Sequence, residues 1–179
     1  MAAILFSCLA LAACSEGVSR DSPFAPGVAK EGEAVDGIVV GNRLIDAGEY
    51  DLAIDAFTRA ALTRGMDAEV LAGIGTASIG LGRLHTAEDL LRRAIDLDED
   101  EPEYWNNLGV VLIERGQAAE AEQVFRRAYA FSNGESDSIR DNLRLAMEKI
   151  ENPGYDAEQE QDYNLVRRGT SDYVIRKIP

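Results

Sequence analysis

The sequence predicts an all-α fold: a right-handed solenoid of three helix-turn-helix repeats, closed by a C-terminal capping helix. Three observations carry this reading. The chain repeats itself without a gap at a period of 34 residues, over 34–67, 68–101 and 102–135. Small residues recur in fixed columns of that period, with large apolar residues between them. The segment after the third unit has helix-start residues and an apolar stripe at helical spacing, as the open end of a solenoid requires.

The eighth position of the units holds Gly41, Gly75 and Gly109, and the fifteenth holds Gly48, Gly82 and Gly116. Ala53, Ala87 and Ala121 stand at the twentieth, and Ala60, Ala94 and Ala128 at the twenty-seventh. Large apolar residues recur at the seventh (Val40, Ile74, Leu108) and at the twenty-fourth (Phe57, Leu91, Phe125). Glycine at eight and alanine at twenty let the two helices of a unit approach closely. Glycine at fifteen permits the left-handed backbone of a tight turn between them. Alanine at twenty-seven leaves room for the first helix of the next unit.

These columns resemble the tetratricopeptide family, most fully in Trp105-Asn106-Asn107-Leu108-Gly109 followed by Ala121, Phe125 and Ala128. The sequence departs from the family pattern at the fourth position, where Gly37 and Leu71 stand in place of Trp105. It departs also at the thirty-second, with Gly65, Glu99 and Asn133 where proline is common. The second unit carries two extra glycines, Gly73 and Gly80. Each costs about 0.8–1 kcal/mol against alanine in a helix interior, so helix 68–81 is expected to be the softest. A phosphate-loop reading of these glycines fails: Ser78 stands where the third glycine of G-x-G-x-x-G belongs, and no strand precedes.

After the repeats, Asn133-Gly134 breaks the chain and Ser136 or Ser138 caps a helix over 136–152. Its expected buried stripe is Ile139, Leu143, Met147 and Ile150, with Arg140, Asp141, Arg144 and Glu148 outward. Pro153-Gly154 ends it. In the tail, 153–179, residues Asp156 to Asp162 read as an acidic linker. Residues 163–179 are basic and rich in β-formers around Gly169, which predicts two short extended segments. So long an extension beyond a finished solenoid is expected to dock into its own groove or onto a partner's sheet edge.

At the other end, Ala2 to Ala13 form an apolar run of 12 residues. A bilayer-spanning helix needs about 20, whereas a signal-peptide core fits this length. The run ends in Leu11-Ala12-Ala13-Cys14, which resembles the lipobox of bacterial lipoproteins. That resemblance implies a signal peptide over 1–13 and a mature chain beginning at Cys14, whose thiol carries the lipid. Ser15 stands where aspartate would retain a lipoprotein in the inner membrane, so the outer membrane is the expected address. Cys8 would leave with the signal. No Lys or Arg precedes the apolar run, where such signals carry positive charge, so a start upstream of Met1 stays open. Residues 14–33, lacking periodicity and rich in Ser, Pro, Gly and charge, read as a lipidated flexible tether.

Composition excludes several functions. Acidic residues outnumber basic ones 32 to 18, a formal charge of −14, which repels phosphate backbones and rules against nucleic acid as a partner. Both cysteines lie in the first 14 residues and His85 is the single histidine, so no thiolate or histidine metal cluster and no cofactor is expected. No nucleophile–base pair or paired-carboxylate site emerges, so neither catalysis nor a small-molecule substrate is expected. The acidic run Asp96 to Glu103 lies at an inter-repeat turn and lacks calcium-loop spacing. His85 reads as a solvated surface residue. The pairs Arg92-Arg93 and Arg126-Arg127 fall near helix ends, where cations meet the helix dipole and nearby acids.

The tetratricopeptide resemblance implies a concave surface lined by the second, fifth, ninth and twelfth positions of each first helix. The expected partner-binding residues are Ile38, Asn42, Ala72, Thr76, Asn106 and Val110. Ile45, Ile79 and Ile113 either share that face or only pack between repeats. The fifth positions, Ile38, Ala72 and Asn106, lack the lysines and arginines that clamp a carboxylate terminus. An apolar or neutral extended segment, or a partner helix, is the expected ligand.

Taken together, a lipobox, three repeats, the capping segment SDSIRDNLRLAMEKI and a short basic tail ending VIRKIP resemble the TadD family. These are the tetratricopeptide lipoproteins of the tight-adherence (Flp) pilus machinery. The resemblance implies a non-enzymatic scaffold at the periplasmic face of the outer membrane that helps assemble the pilus or its secretin. The alternative is a general envelope-assembly or cell-wall-hydrolase-recruiting adaptor lipoprotein. Under either reading the partners are proteins, and the membrane is touched through the lipid anchor only.

Overall fold

Turn chemistry sets the architecture. Gly48, Gly82 and Gly116 all adopt positive φ (77°, 68° and 72°). In each case the glycine N–H donates to the isoleucine three residues back, Ile45, Ile79 or Ile113, at 2.9 Å. The following N–H reaches the carbonyl five residues back: Glu49 to Leu44, Arg83 to Ser78 and Gln117 to Leu112, at 2.8–2.9 Å. These bonds satisfy the last carbonyls of one helix and reverse the chain into the next.

The computed structural model describes residues 35–152, 163–168 and 172–177. Three helix pairs follow one another: α1 (Gly37–Asp46) with α2 (Tyr50–Arg64), α3 (Ala68–Gly80) with α4 (Leu84–Leu97), and α5 (Pro102–Glu114) with α6 (Ala118–Phe131). A seventh helix, α7 (Asp137–Glu151), packs on α6. Strands β1 (Tyr163–Arg168) and β2 (Asp172–Lys177) form an antiparallel hairpin with Val166 opposite Val174. The array is thus all-helical, with a two-stranded extension where the sequence predicts extended segments. The signal segment, Cys8, Cys14, the tether and the acidic linker lie outside the described residues.

The columns interlock by size. A Cβ on Gly41 would stand 2.6 Å from the Phe57 ring, and one on Gly109 2.5 Å from the Phe125 ring. The eighth-position glycine therefore receives the twenty-fourth-position aromatic of the partner helix. Ala53, Ala87 and Ala121 are fully buried, as are Ala94 and Ala128, while Ala60 is nearly so. Two apolar clusters result, one around Ile38, Ile45 and Phe57, the other running from Leu71 through Phe125 to Ala146.

Helix α3 uses the extra glycines of the second unit for close packing. A Cβ on Gly73 would lie 2.4 Å from Phe57, and one on Gly80 2.4 Å from Tyr50. The glycines that weaken α3 by propensity admit two aromatic rings of the preceding α2. Eight of its 13 residues are buried, so packing acts against the propensity cost.

The capping helix is also rotated from the expected stripe. Ser136 does cap it, accepting from the Ile139 N–H at 3.4 Å. Its buried face is Ser138, Ile139, Asn142, Leu145 and Ala146, whereas Met147 and Ile150 are exposed. The apolar count misplaced the face because α7 must cover both α6 and the tail hairpin.

The arginines act sideways, not along helix axes, since neither α4 nor α6 carries a base in its last turn. Arg92 pairs with Glu88 at 2.9 Å and with Glu120 of the next unit at 2.6 Å. Arg126 pairs with Glu122, and Arg127 lies over the Trp105 ring at 5.0 Å. His85 is exposed beside Arg115, as expected.

Candidate peptide-binding groove

Helices α1, α3 and α5 follow one another along a shared face and carry the predicted groove residues. That face is divided in two. Its far half, toward α5 and α7, is filled by β2. Tyr173, Val174 and Ile175 are 2%, 3% and 8% exposed, and the core around α5 includes Tyr173 and Ile175.

The contact is made by amides. Asn142 Nδ2 donates to the Tyr173 carbonyl at 2.6 Å, and its Oδ1 accepts from the Ile175 N–H at 3.2 Å. A carbonyl and the N–H two residues on are the two groups that one residue of a parallel strand would bond. The Asn142 side chain thus stands in for a neighbouring peptide group. Asn106 Nδ2 also donates to the Tyr173 carbonyl at 3.3 Å, while its Oδ1 accepts from Asn142 at 2.9 Å. Asn107 extends the chain of amides to the Thr76 hydroxyl at 3.1 Å, and the Tyr173 hydroxyl donates to the Thr76 carbonyl at 3.5 Å. A buried polar network of this kind is stable only when its members are satisfied, and here they bond one another and a main chain.

Of the predicted residues, Asn106 and Val110 fall in this filled half and Thr76 stands at its border with the open half; they are 0%, 0% and 3% exposed. The other three, Ile38, Asn42 and Ala72, lie toward α1. Ile38 is buried with Ile45 in the first core cluster, so its role is packing. Ile45, Ile79 and Ile113 are buried as well, in the core between helices. Sequence reasoning missed Asn142 altogether. Its signal was available: an asparagine at the helical spacing of Ile139, Leu145 and Ala146 is a polar group on a buried face and needs a partner.

The near half is an open cavity of about 440 Å³, lined by Asn42, Ala72, Thr76, Asn107, Tyr104 and a ring of charge. The ring is acidic: Asp67, Glu69, Asp98, Glu101 and Glu103 against Arg64 alone. Arg64 is engaged by Asp67 at 3.0 Å and Glu69 at 2.6 Å. Burial holds the Glu101 carboxyl above its ordinary 4.5, and burial with nearby carboxylates raises the Tyr104 hydroxyl. The expectation of an apolar, neutral groove is therefore corrected for its open half. Glu69 and Glu103 stand at the second position of α3 and α5, which the groove count includes, whereas Asp67, Asp98 and Glu101 come from the turns α2–α3 and α4–α5, which it leaves out.

Those turns are ordered by local bonds. Asp67 caps α3 by accepting from the Val70 N–H at 2.9 Å. The acidic run before α5 is held by Trp105, whose indole N–H donates to the Glu99 carbonyl at 2.7 Å and whose ring stacks on Phe131 at 6.1 Å.

Comparison with known proteins agrees with this architecture. The tetratricopeptide repeat family profile matches residues 73–136. The tetratricopeptide domain of Sgt2 from Aspergillus fumigatus superposes with a TM-score of 0.62 at 22% identity, covering 66% of this chain and 80% of that one. The first such domain of human RPAP3 gives 0.61 at 18% identity, covering 66% and 93%. The Yersinia enterocolitica type III secretion chaperone SycD, in complex with a peptide of the translocator YopD, gives 0.56 at 18%, covering 64% and 92%. These likenesses show the fold. No curated protein matches the chain by sequence.

Proposed function

We propose that this tetratricopeptide-repeat protein is a non-enzymatic envelope scaffold that captures an extended segment of a protein partner. One observation carries the reading: the face formed by α3, α5 and α7 holds a strand by its main chain, through Asn106 and Asn142. Main-chain recognition supplies affinity for extended segments of varied sequence, with side-chain pockets adding selectivity. That a structural neighbour, SycD, is in complex with a peptide of its translocator supports a peptide-binding role for the fold.

The acidic open half refines the partner's chemistry. A segment running on from the amide network toward α1 meets Glu69, Glu101 and Glu103, so lysine or arginine at that end is favoured. The lipobox at Cys14 supports anchoring at the periplasmic face of the outer membrane. Lipobox, three repeats, cap and basic tail together support the TadD-like reading, an accessory for assembling a tight-adherence (Flp) pilus or its secretin.

Two measurements test this. Cys14→Ser is expected to move the protein from the membrane fraction to the soluble periplasmic fraction. A photo-crosslinking residue at Asn42, on the open half, is expected to capture secretin or pilus components from intact cells. Recovery of cell-wall enzymes alone would favour a hydrolase-recruiting adaptor and sink the pilus reading.

A further inference from the structure

We infer that the α5–α7 half of the groove is a strand-exchange site. Its resident occupant is β2, and its competing ligand is an extended segment of Tyr-Val-Ile type. This goes beyond the scaffold reading and does not depend on which envelope protein is captured.

Occupancy comes first. Asn106 and Val110 have no exposed surface, and the strand that shares their face contributes Tyr173, Val174 and Ile175 to the buried interior. An incoming segment reaches the amides of Asn106 and Asn142 only after β2 leaves. The remaining polar lining of the concave face, around Asn42 and Tyr104, is open beside it. A partner can therefore engage the open half first and then replace β2 in the other.

Selectivity follows from the bonds. The main-chain groups of residues 173 and 175 are read by Asn142, which accepts any sequence. The side chains are read by burial, with a tyrosine whose hydroxyl reaches the Thr76 carbonyl and an isoleucine two residues on. A competing segment therefore needs an aromatic residue and a branched aliphatic at that spacing. The eleven residues 152–162 join α7 to β1, so β2 competes intramolecularly, at an effective concentration on the order of millimolar. That concentration makes the tail a built-in threshold, because weak segments are refused.

The test uses the full chain and a fluorescein-labelled peptide of residues 171–179, SDYVIRKIP, read by anisotropy. The full chain carrying Tyr173→Ala and Ile175→Ala is expected to bind the peptide at least tenfold more tightly than the unaltered chain. Adding Asn142→Ala is expected to weaken that binding about tenfold, since a buried bidentate contact is lost. Equal binding by both chains would overturn the proposal. So would no binding by the double variant while circular dichroism shows the helices intact. A second measurement needs no substitution: excess peptide is expected to accelerate amide exchange of residues 172–177 in the unaltered chain while α5 stays protected. Unchanged exchange at saturating peptide would equally overturn it.

Discussion

Gly73→Ala sets packing against helix propensity, because the two act with opposite sign. Alanine is favoured over glycine in a helix interior by about 0.8–1 kcal/mol. Against that, the new Cβ would lie 2.4, 2.6 and 2.7 Å from Cε1, Cζ and Cδ1 of Phe57. Carbon contacts are at ease near 3.5–4.0 Å, so the overlap is about 1 Å. The ring has no retreat. It is 1% exposed, and on α1 it already meets Gly41, where a Cβ would stand 2.6–2.8 Å from the same ring. Overpacking a filled core costs typically 1–3 kcal/mol, and two helices clamping one ring put this case in the upper part. After the propensity gain, the expected net loss is about 1–2 kcal/mol. Urea unfolding followed by circular dichroism and by the fluorescence of the single tryptophan, Trp105, gives the number, provided the m-value is unchanged. Phe57→Leu should relieve the overlap, so the double variant is expected to be more stable than the sum of the single effects by about 1 kcal/mol. A raised midpoint for Gly73→Ala would refute the packing argument and leave propensity in charge.

Trp105→Ala removes the indole bond to Glu99, the stack on Phe131 and the Arg127 contact, and is expected to cost about 3–5 kcal/mol in thermal unfolding. Trp105→Phe keeps an aromatic ring there and should cost only part of that. Glu101 has a folded pKa above its ordinary 4.5, so its contribution to stability falls as pH rises through the window above 4.5. Glu101→Gln is therefore expected to raise the melting temperature modestly at pH 7 and leave it unchanged near pH 3.5. Asn142→Asp replaces the donor facing the Tyr173 carbonyl by a buried carboxylate oxygen, and is expected to release β2 at pH 7, seen as faster amide exchange over 172–177.

The helical array was legible because its information is periodic. Gly48, Gly82 and Gly116 repeat at one spacing, and each adopts the left-handed turn that the spacing predicted. The phenylalanines at the twenty-fourth position announced their glycine sockets in the same way. What departs from the period was read less well. Gly73 looked like a helix weakness because its partner, Phe57, belongs to the preceding unit and sits sixteen residues away in sequence. Met147 and Ile150 looked buried because α7 was read as covering one neighbour, whereas it covers two. Asp67, Asp98 and Glu101 of the groove lie on turns, outside the helical positions that the resemblance points to, while Glu69 and Glu103 stand at its second position. Non-local pairing decides all three, and a single repeat does not encode it.

The tail hairpin explains why asparagine stands at Asn106 and Asn142. An edge strand laid on helices leaves its outer N–H and C=O groups without a ladder, a cost that grows as water is excluded. Serine offers one proton, and aspartate offers none once ionised. Only a carboxamide supplies a donor and an acceptor at the separation of a peptide group. Asn142 uses both on β2, and Asn106 fixes its orientation by accepting its second N–H. The same economy holds for any extended chain placed there, because the groups being read are main-chain groups. Under the strand-exchange proposal the far half of the face selects by shape and by the two buried side chains, and the near half by charge. A ligand that satisfies both is an extended segment with an aromatic–aliphatic pair at one end and a cationic stretch at the other.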